Sequence, residues 1–264
     1  MNGKEGVGVD YKLETRGLSK KFIRKNDELL VLDDVDIQIK AGEFVSIIGA
    51  SGCGKTTLLR MLHGLIKPSA GEVLADGKVV SGPTRQRGFV LQHASLLPWR
   101  TVLANVTFGL ELDGMPRAEA KAHAMKLLDL VGLKGFESHY PAEISGGMQQ
   151  RVNIARALAI DPDILLMDEP FAAVDAQTRE VMQTELLRIW DADRKTVVFV
   201  THQLDEAVYL SDRVIVLGAH PGTVKEVVTV DLPRPRNLGI KRTHEFVDIV
   251  DHIWKLIEEE VVAA

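Results

Sequence analysis

The chain has 264 residues, of which 45% are hydrophobic and 26% charged, values that are ordinary for a globular protein with one large or two small domains. Its 32 basic and 37 acidic side chains leave a net charge of −5, so the composition offers no general reason to bind nucleic acid or an anionic membrane. The single cysteine excludes a disulfide within the chain and suits a reducing compartment, and no run of about 18 apolar residues predicts a membrane span.

The N-terminal third is predicted to consist of strands around one helix. A flexible N-terminus at residues 1–12 carries scattered charges and lacks the apolar core of a secretory signal. A β-branched apolar run, a glycine-rich turn and a helical pattern that stops at Gly64 then follow one another. The predicted elements are strand-like residues 13–40 with a break at Asp33 and Asp34, a strand at 43–48, a helix at 56–65, a hairpin at 71–80 and a strand at 88–91.

The remainder alternates between helices and continuous apolar strands. Residues 101–159 are helical in character, with an amphipathic helix at 118–130. This stretch is predicted to be an insertion into an α/β core whose mainly parallel sheet is covered on both faces. The core elements that follow it are predicted strands at 164–167, 196–200 and 213–217 and a helix at 176–190.

Residues 231–264 are predicted to form a C-terminal extension. Pro233 and Pro235 require the Pro-Arg-Pro-Arg segment to be extended or turn-like, and the apolar residues from Phe246 to Ile257 recur at helical spacing. The amphipathic helix that they predict either closes the domain or binds a partner.

One motif predicts a phosphate-binding loop. Its glycines let backbone N–H groups turn toward phosphate oxygens, Lys55 reaches the β- and γ-phosphates, and the Thr56 hydroxyl binds Mg²⁺. An apolar strand precedes the motif and a helix follows it, so the positive helix end faces the anion. The residues that fit G-x-x-x-x-G-K-S/T are Gly49, Ala50, Ser51, Gly52, Cys53, Gly54, Lys55 and Thr56, and Thr57 completes the expected nucleotide-binding set.

Cys53 lies inside this loop. It is either present because it is small, or it is reactive because a helix N-terminus and Lys55 lower the pKa of its thiol. The second interpretation leads to the hypothesis that thiol reagents inactivate ATP hydrolysis and that bound ATP protects against them.

Two further strands end in polar side chains that suit phosphate chemistry. Asp168 and Glu169 follow an apolar strand, as in the metal-binding strand of a P-loop NTPase. Asp168 would hold the metal, through water, and Glu169 would polarise the attacking water. His202 follows another apolar run and either contacts the γ-phosphate or is incidental.

The segment Ser145-Gly146-Gly147, here called the signature segment, opens a helix within the predicted insertion. Alone it is only a helix cap with an anion-ready N-terminus. Together with the phosphate loop and the acidic strand end, in this order and spacing, it makes residues 13–230 strongly resemble the ATP-hydrolysing subunit of bacterial ABC transporters. The resemblance implies a RecA-like P-loop NTPase core, an N-terminal antiparallel β subdomain and an inserted helical subdomain at about residues 93–159.

The resemblance also implies roles for individual residues. Phe22 matches the aromatic residue that stacks on adenine, and Gln92 matches the Q-loop residue that senses Mg²⁺ and the permease. The signature segment would cap the γ-phosphate of ATP held by the opposite subunit. Asp168 and Glu169 match the metal-holding aspartate and the catalytic glutamate, Asp175 the D-loop aspartate, and His202 the switch histidine.

Two positions depart from the family pattern. Met148 replaces the glutamine of the usual LSGGQ signature, so a polar contact near the ribose is expected to be missing while hydrolysis survives. Val174 precedes Asp175 where leucine is commoner, which is a modest apolar change.

Within the family the chain looks most like the nitrate, sulfonate and taurine importer ATPases, through residues 96–102, residues 145–148 and residues 231–236. The resemblance implies ATP and Mg²⁺ as ligands and a homodimer or a pair of paralogous ATPases. It also implies two membrane permease subunits, an extracytoplasmic substrate-binding protein as an indirect partner, and a peripheral position at the cytoplasmic face of the membrane. Of the apolar residues Leu96, Leu97 and Trp99, at least one is expected to contact the permease.

Two other classes remain open. A soluble ABC protein of translation or DNA repair is disfavoured, because the chain has one cassette and no sustained heptads. A regulatory nucleotide-binding module without turnover is disfavoured by the presence of Glu169 and His202.

Overall fold

The computed structural model describes residues 11–24 and 27–263 and has the predicted α/β architecture. The described residues form two sheets, seven α-helices and two short 3-10 helices, at Pro141–Glu143 and Leu238–Arg242. The strands are β1 (Tyr11–Arg24), β2 (Asp27–Lys40), β3 (Phe44–Gly49), β4 (Ala70–Ala75), β5 (Lys78–Val79), β6 (Arg87–Val90), β7 (Ile164–Asp168), β8 (Thr196–Val200), β9 (Arg213–Leu217) and β10 (Val224–Thr229). The helices are α1 (Lys55–His63), α2 (Val102–Leu112), α3 (Arg117–Leu130), α4 (Gly146–Ala159), α5 (Ala176–Asp193), α6 (Leu204–Leu210) and α7 (His244–Ala263).

The larger sheet has six strands in the order β10-β9-β3-β8-β7-β6, and all neighbours are parallel except β9 and β10. Its central strands are buried along their whole length because helices cover both faces. In β8, Val197 and Phe199 pack into one core cluster and Val198 and Val200 into the other. The mainly parallel, doubly covered sheet predicted from the apolar runs is therefore confirmed.

The smaller sheet is antiparallel, in the order β2-β1-β4-β5. The predicted break at Asp33 and Asp34 is wrong, since β2 continues through it. Asp34 adopts a left-handed φ of 47° and the pairing register with β1 shifts there. Ser19 of β1 bridges the irregularity, because its hydroxyl accepts from the Asp34 N–H at 3.0 Å and donates to Asp33 at 3.3 Å. The predicted break is thus a β-bulge within one continuous strand.

Most of the predicted flexible terminus, residues 1–12, lies outside the described residues, but its last two belong to β1. Tyr11 pairs with Lys40 of β2, and the Lys12 ammonium forms an ion pair with Asp76 at 2.9 Å. These partners lie far away in the sequence, so residue patterns near the terminus do not reveal them.

The helical insertion packs around its own apolar cluster. Val106 of α2, Ala124 of α3 and Val152 of α4 are fully buried in it. Hydrogen bonds tie α4 to the segment that leads out of the parallel sheet, since Asn153 donates to the Leu91 carbonyl at 3.0 Å and Arg156 donates to the Ser95 carbonyl at 3.1 Å. The insertion is therefore a small helical unit anchored at the end of β6.

Helix α6 and strand β10 were not predicted from the sequence. Helix α6 has seven residues, which is too short for helical periodicity to stand out. Strand β10 is an edge strand that mixes polar and apolar residues and is antiparallel to β9.

The C-terminal extension is anchored on α6 by its arginines. Arg236 is only 6% exposed, and its two terminal nitrogens donate to five backbone carbonyls, those of Val208, Tyr209, Ser211, Val230 and Leu232. Because burial disfavours the cation, the pKa of Arg236 falls to about 10. Arg234 forms an ion pair with Asp212 at 2.8 Å and stacks on Trp190 at 4.1 Å.

Helix α7 then closes the domain. Phe246 and Ile253 are buried in the core, while Trp254 on another face is 54% exposed. The amphipathic pattern therefore corresponds to a helix packed on the domain, as one of the two interpretations predicted.

Replacing Arg236 with methionine keeps an aliphatic stem but removes the donors to five carbonyls. We expect Arg236→Met to lower the free energy of unfolding by about 3 kcal/mol, because buried carbonyls at the end of α6 lose their partners. Urea unfolding followed by circular dichroism measures the change. Arg242→Met, at an exposed site of the same extension, is the control and should stay within about 0.5 kcal/mol of the native chain. Equal stability of the two variants would contradict the anchoring role.

Candidate active site

The phosphate loop connects β3 to α1 through backbone shapes that require glycine. Gly52 and Gly54 have left-handed φ angles of 83° and 97°. A Cβ on Gly54 would lie 2.8 Å from Leu32, and one on Gly49 would lie 2.5 Å from the Leu217 carbonyl oxygen. The predicted loop is therefore present in its expected strand-loop-helix setting. The first N–H groups of α1 have no partners within the helix and are free to bind phosphate oxygens.

Lys55 lies over this loop and is 8% exposed. Its ammonium donates to the carbonyls of Gly49 and Ala50 at 2.8 and 2.9 Å. These neutral acceptors do not neutralise the lysine, so its positive charge remains available to an anion at the loop.

Thr56 and Asp168 are two of the three residues predicted to contribute to a metal site, and Gln92 is the third. The Thr56 hydroxyl, in the first turn of α1, donates to Asp168 Oδ1 at 3.0 Å. Asp168 ends β7 and is 2% exposed. Burial raises the pKa of this carboxyl, and the negative charge of Glu169 acts in the same direction, while the Thr56 hydroxyl opposes them. A bound cation would relieve this electrostatic cost.

The donor set fits Mg²⁺ that arrives with phosphate. Within residues 11–24 and 27–263, no group of three or more His, Cys, Asp or Glu side chains could hold a metal on its own. Mg²⁺ typically takes one or two protein oxygens and completes its shell with phosphate oxygens and water. One hydroxyl and one buried carboxylate beside a phosphate loop meet that requirement.

Glu169 is the centre of the remaining polar cluster. Its Oε2 accepts from Gln92 Nε2 at 3.1 Å and lies 3.3 Å from His202 Nδ1. The Glu169 backbone adopts a left-handed φ of 45°, and its N–H donates to the Val200 carbonyl at 2.9 Å. The strands before Glu169 and His202 are parallel neighbours, so the two side chains meet at the same sheet edge.

These groups surround a cleft of about 630 Å³. It is lined by most of the predicted phosphate-binding residues, by Glu169 and its two polar partners Gln92 and His202, and by one residue that was not predicted, Val31. The lining residues are Val31, Gly49, Ser51, Gly52, Gly54, Lys55, Thr56, Thr57, Gln92, Glu169 and His202.

Phe22 lies on the hairpin beside the cleft and is 41% exposed. It pairs with Leu29, and Leu29 shares a face of β2 with Val31, which lines the cleft. Its role as the adenine platform stays a prediction.

The signature segment and Asp175 do not line this cleft. Ser145 caps α4 by accepting from the Met148 N–H at 3.3 Å, and Asp175 caps α5 by accepting from the Thr178 N–H at 3.0 Å. Both caps are exposed, and the bonds from Thr178 lower the pKa of Asp175. Met148 packs partly against the helical cluster. The residues that would face a second nucleotide are therefore on the surface of this chain.

The lowered pKa expected for Cys53 is wrong. Its side chain is 1% exposed, and burial raises the pKa of the thiol. Lys55, whose ammonium lies 3.8 Å from Sγ, opposes this shift without overcoming it. Sequence alone places a cysteine near a helix N-terminus and a lysine but does not show that its sulfur faces the core.

A buried carboxylate near the site was also missed. Glu206 of α6 is 3% exposed and hydrogen-bonds to Thr201, the residue before His202. The pair Thr-His followed by acidic residues is visible in the sequence, but its significance depends on the unpredicted helix α6.

Comparison with known proteins identifies the class of protein to which this fold and cleft belong. The profile of the ABC transporter family matches residues 32–172, more than half of the chain. An uncharacterized ABC transporter ATP-binding protein of Methanocaldococcus jannaschii is 53% identical over 254 residues, which are 96% of this chain and 94% of the relative. The chain therefore belongs to the ABC transporter family, and the predicted ABC-type ATPase with an ATP-binding site is confirmed.

Two relatives that are named as import proteins agree with the predicted subfamily. The nitrate import ATP-binding protein NrtD of Synechocystis sp. is 45% identical over 251 residues, or 93% of this chain and 94% of the relative. The taurine import ATP-binding protein TauB of Yersinia pestis is 50% identical over 200 residues, or 76% and 78%.

Solved structures agree with the fold. The dimeric post-hydrolysis state of the ATP-binding cassette MJ0796, bound to ADP and Pi, superposes with a TM-score of 0.77 at 35% identity and covers 84% of this chain and 100% of that one. The cbiO1 structure from Clostridium perfringens, part of the cbiONQ ABC transporter complex, gives 0.75 at 25% identity over 92% and 95%. Among the described residues, none of the helices combines the length and apolar character needed to cross a membrane.

Because Cys53 is buried and its pKa is raised, we expect it to react slowly in the folded chain. At pH 7.5, iodoacetamide should modify native Cys53 at least about a hundredfold more slowly than the same cysteine in urea, since both access and thiolate fraction are reduced. Intact-mass spectrometry over time measures the rate. Equal rates in the native and unfolded chain would restore the reactive-cysteine hypothesis.

Proposed function

We propose that this chain binds ATP with Mg²⁺ at the cleft between the phosphate loop and Glu169, and hydrolyses it to energise import of a small solute through a separate permease. The observation that carries the proposal is the convergence of Lys55, Gln92, Glu169 and His202 on one cleft, beside the Thr56–Asp168 pair. A phosphate loop alone would support binding, whereas a carboxylate placed among these groups supports turnover.

Each side chain has a distinct task in this proposal. Lys55 and the N–H groups at the start of α1 hold the β- and γ-phosphates. Thr56 and Asp168 would hold Mg²⁺, which when bound neutralises charge on the phosphate oxygens. Glu169 orients and polarises the attacking water, while His202 Nδ1, 3.3 Å from the Glu169 carboxylate, keeps that carboxylate aligned and orients the γ-phosphate.

Gln92 links this chemistry to the helical insertion. Its amide donates to Glu169 at 3.1 Å, and residues 93–101 lead directly into α2. Displacement of that segment would move the amide that aligns Glu169. We therefore assign Gln92 the role of coupling the insertion, and whatever docks on it, to the water-polarising carboxylate.

The position of the signature segment supports a dimer of cassettes. Ser145 and its two glycines expose a capped helix N-terminus outside the cleft, although such an end is suited to bind an anion. Two copies arranged head to tail would place each signature segment over the nucleotide of the other copy. The dimeric form of MJ0796 supports this arrangement, with either a homodimer or a paralogous pair in this case.

We propose that the permease docks around Trp99, because this side chain is 72% exposed and precedes α2. Leu96 is partly buried against the helical cluster, and Arg100 is bound to Glu111 at 2.8 Å, so both have structural contacts. Trp99 is thus the candidate contact with the permease, whose two membrane subunits would hold the ATPase dimer at the cytoplasmic face of the membrane. An extracytoplasmic binding protein would deliver the solute, and the NrtD and TauB relatives support nitrate or a taurine-like sulfonate.

Replacing Glu169 with glutamine should stop turnover without removing nucleotide binding, because the amide cannot polarise water as a carboxylate does. We expect kcat for ATP hydrolysis to fall at least about a hundredfold and an ATP-bound dimer to accumulate. Phosphate release and multi-angle light scattering measure the two effects. Glu245→Gln, at an exposed site of α7, is the charge-matched control. A variant that neither dimerises with ATP nor differs in turnover from the native chain would favour a regulatory module.

Removing the Trp99 ring should uncouple ATP hydrolysis from transport. In proteoliposomes that contain the two permease subunits and the binding protein, we expect Trp99→Ala to lower nitrate or taurine uptake about tenfold, since one buried aromatic can dominate an interface. ATP hydrolysis by the chain alone should stay within about twofold, because Trp99 lies outside the cleft. Trp254→Ala is the control, because Trp254 is the other exposed tryptophan among the described residues. Loss of both activities would indicate a folding role for Trp99.

A further inference from the structure

A chain of hydrogen bonds leads from the C-terminal extension to the residue before His202. The Lys241 ammonium donates to Gln183 Oε1 at 3.1 Å, and Gln183 Nε2 donates to Glu206 Oε1 at 2.9 Å. The Thr201 hydroxyl donates to the other oxygen of Glu206 in a short hydrogen bond. Gln183, Thr201 and Glu206 are at most 3% exposed, so the chain runs through the protein interior.

We propose that Lys241 is a positioning residue for ATP hydrolysis, acting through Gln183, Glu206 and Thr201 to hold His202 at the cleft. The inference rests on the proposed role of His202 and goes beyond it, since it assigns a role in positioning that histidine to a residue outside the region that matches the family profile. That matched region ends at residue 172, and Lys241 lies in the C-terminal extension.

Thr201 is the point at which the chain acts on His202. Its hydroxyl accepts from the Gln203 N–H at 3.0 Å, and its own N–H donates to the Ile47 carbonyl of β3 at 3.3 Å. The hydroxyl of Thr201, the residue before His202, therefore binds the backbone of Gln203, the residue after it. The same hydroxyl donates to Glu206, which fixes its position. His202 itself is exposed and lines the cleft. The hydrogen bonds of Thr201 and Gln203 therefore fix the backbone on either side of it.

Glu206 needs donors because it is buried. Burial raises the pKa of this carboxyl, and the Thr201 and Gln183 hydrogen bonds oppose the rise. Lys241 contributes by fixing the Gln183 amide with its N–H side toward Glu206, because the ammonium can only donate to the amide oxygen. Without the ammonium, the amide loses the partner that sets its orientation.

Lys241 is itself held in place by α6. Its ammonium lies 3.4 Å from Asp205 and 4.9 Å from the ring centre of Tyr209, and its side chain is 16% exposed. Arg236 of the same extension binds the carbonyls of Val208 and Tyr209 near the other end of the helix. The extension therefore fixes α6 along its length, and α6 begins two residues after His202.

Replacing Lys241 with methionine in the full chain tests the proposal, since the stem is kept and the ammonium is lost. We expect kcat for ATP hydrolysis to fall about tenfold, as small misplacements of catalytic groups cost rate, while KM for ATP stays within about twofold because the phosphate loop is untouched. Lys225→Met is the matched control. Lys225 also binds the extension, donating to the Leu256 carbonyl of α7 at 2.9 Å, but this contact does not involve Gln183, Glu206 or Thr201.

A spectroscopic signal separates positioning from general loosening of the extension. In histidine-labelled protein with bound ATP and the Glu169→Gln substitution, the NMR ring signal of His202, assigned by its loss in His202→Ala, should shift or broaden in Lys241→Met and remain unchanged in Lys225→Met. Equal falls of kcat in the two lysine variants, or an unmoved His202 signal in Lys241→Met, would overturn the proposal.

The same measurements separate failure of this inference from failure of the proposed function. If His202→Ala keeps the native kcat, the role proposed for His202 is wrong and the inference falls with it. If His202→Ala lowers kcat but Lys241→Met does not, only the inference is wrong. We expect Lys241→Met to add no further loss of kcat in the His202→Ala background, because both act through the same contact.

Discussion

The site depends on the parallel register of three neighbouring strands. In the centre of the sheet, Ile47 of β3 and Asp168 of β7 are both register partners of Val200 in β8. All three strands therefore end at one edge, and the residues that follow them, the phosphate loop, Glu169 and His202, must lie side by side. Any slip in this register would separate the carboxylate from the phosphate loop, so the apolar packing that fixes the register also determines the chemistry.

The electrostatics of this edge favour a charged ligand. Asp168 is buried beside Glu169, so its pKa is raised, while Lys55 is held by uncharged carbonyls a short distance away. Charges of both signs are therefore present without being fully neutralised by one another. An anionic nucleotide would pair with the Lys55 ammonium, and a divalent cation would pair with the Asp168 carboxylate. Binding of the two together would therefore relieve the cost of burying these charges.

The helical insertion and the C-terminal extension are both connected by hydrogen bonds to residues at or next to the cleft. Gln92 reaches Glu169 from the segment that leads into the helical insertion, and Glu206 of α6 accepts from Thr201 in the turn that carries His202. In the proposed mechanism, one connection transmits the state of the permease and the other maintains the geometry of the γ-phosphate contact. The C-terminal extension is then part of the catalytic framework as well as a closing element, because its arginine and lysine fix α6.

The sequence by itself determined the class of fold and most of the residues that line the cleft. Local patterns carry that information: the glycine spacing from Gly49 to Gly54, the apolar run before Asp168, and the alternation of strands and helices. The sequence did not reveal the bulge at Asp34, the burial of Cys53, the short helix α6 or the path from Lys241 to Thr201. Each of these depends on partners that are distant along the chain, such as Ser19 for Asp34 and Gln183 for Lys241. Only the tertiary structure decides such features, because burial and long-range hydrogen bonds are set by which segments meet, whereas motif spacing is set within a single segment.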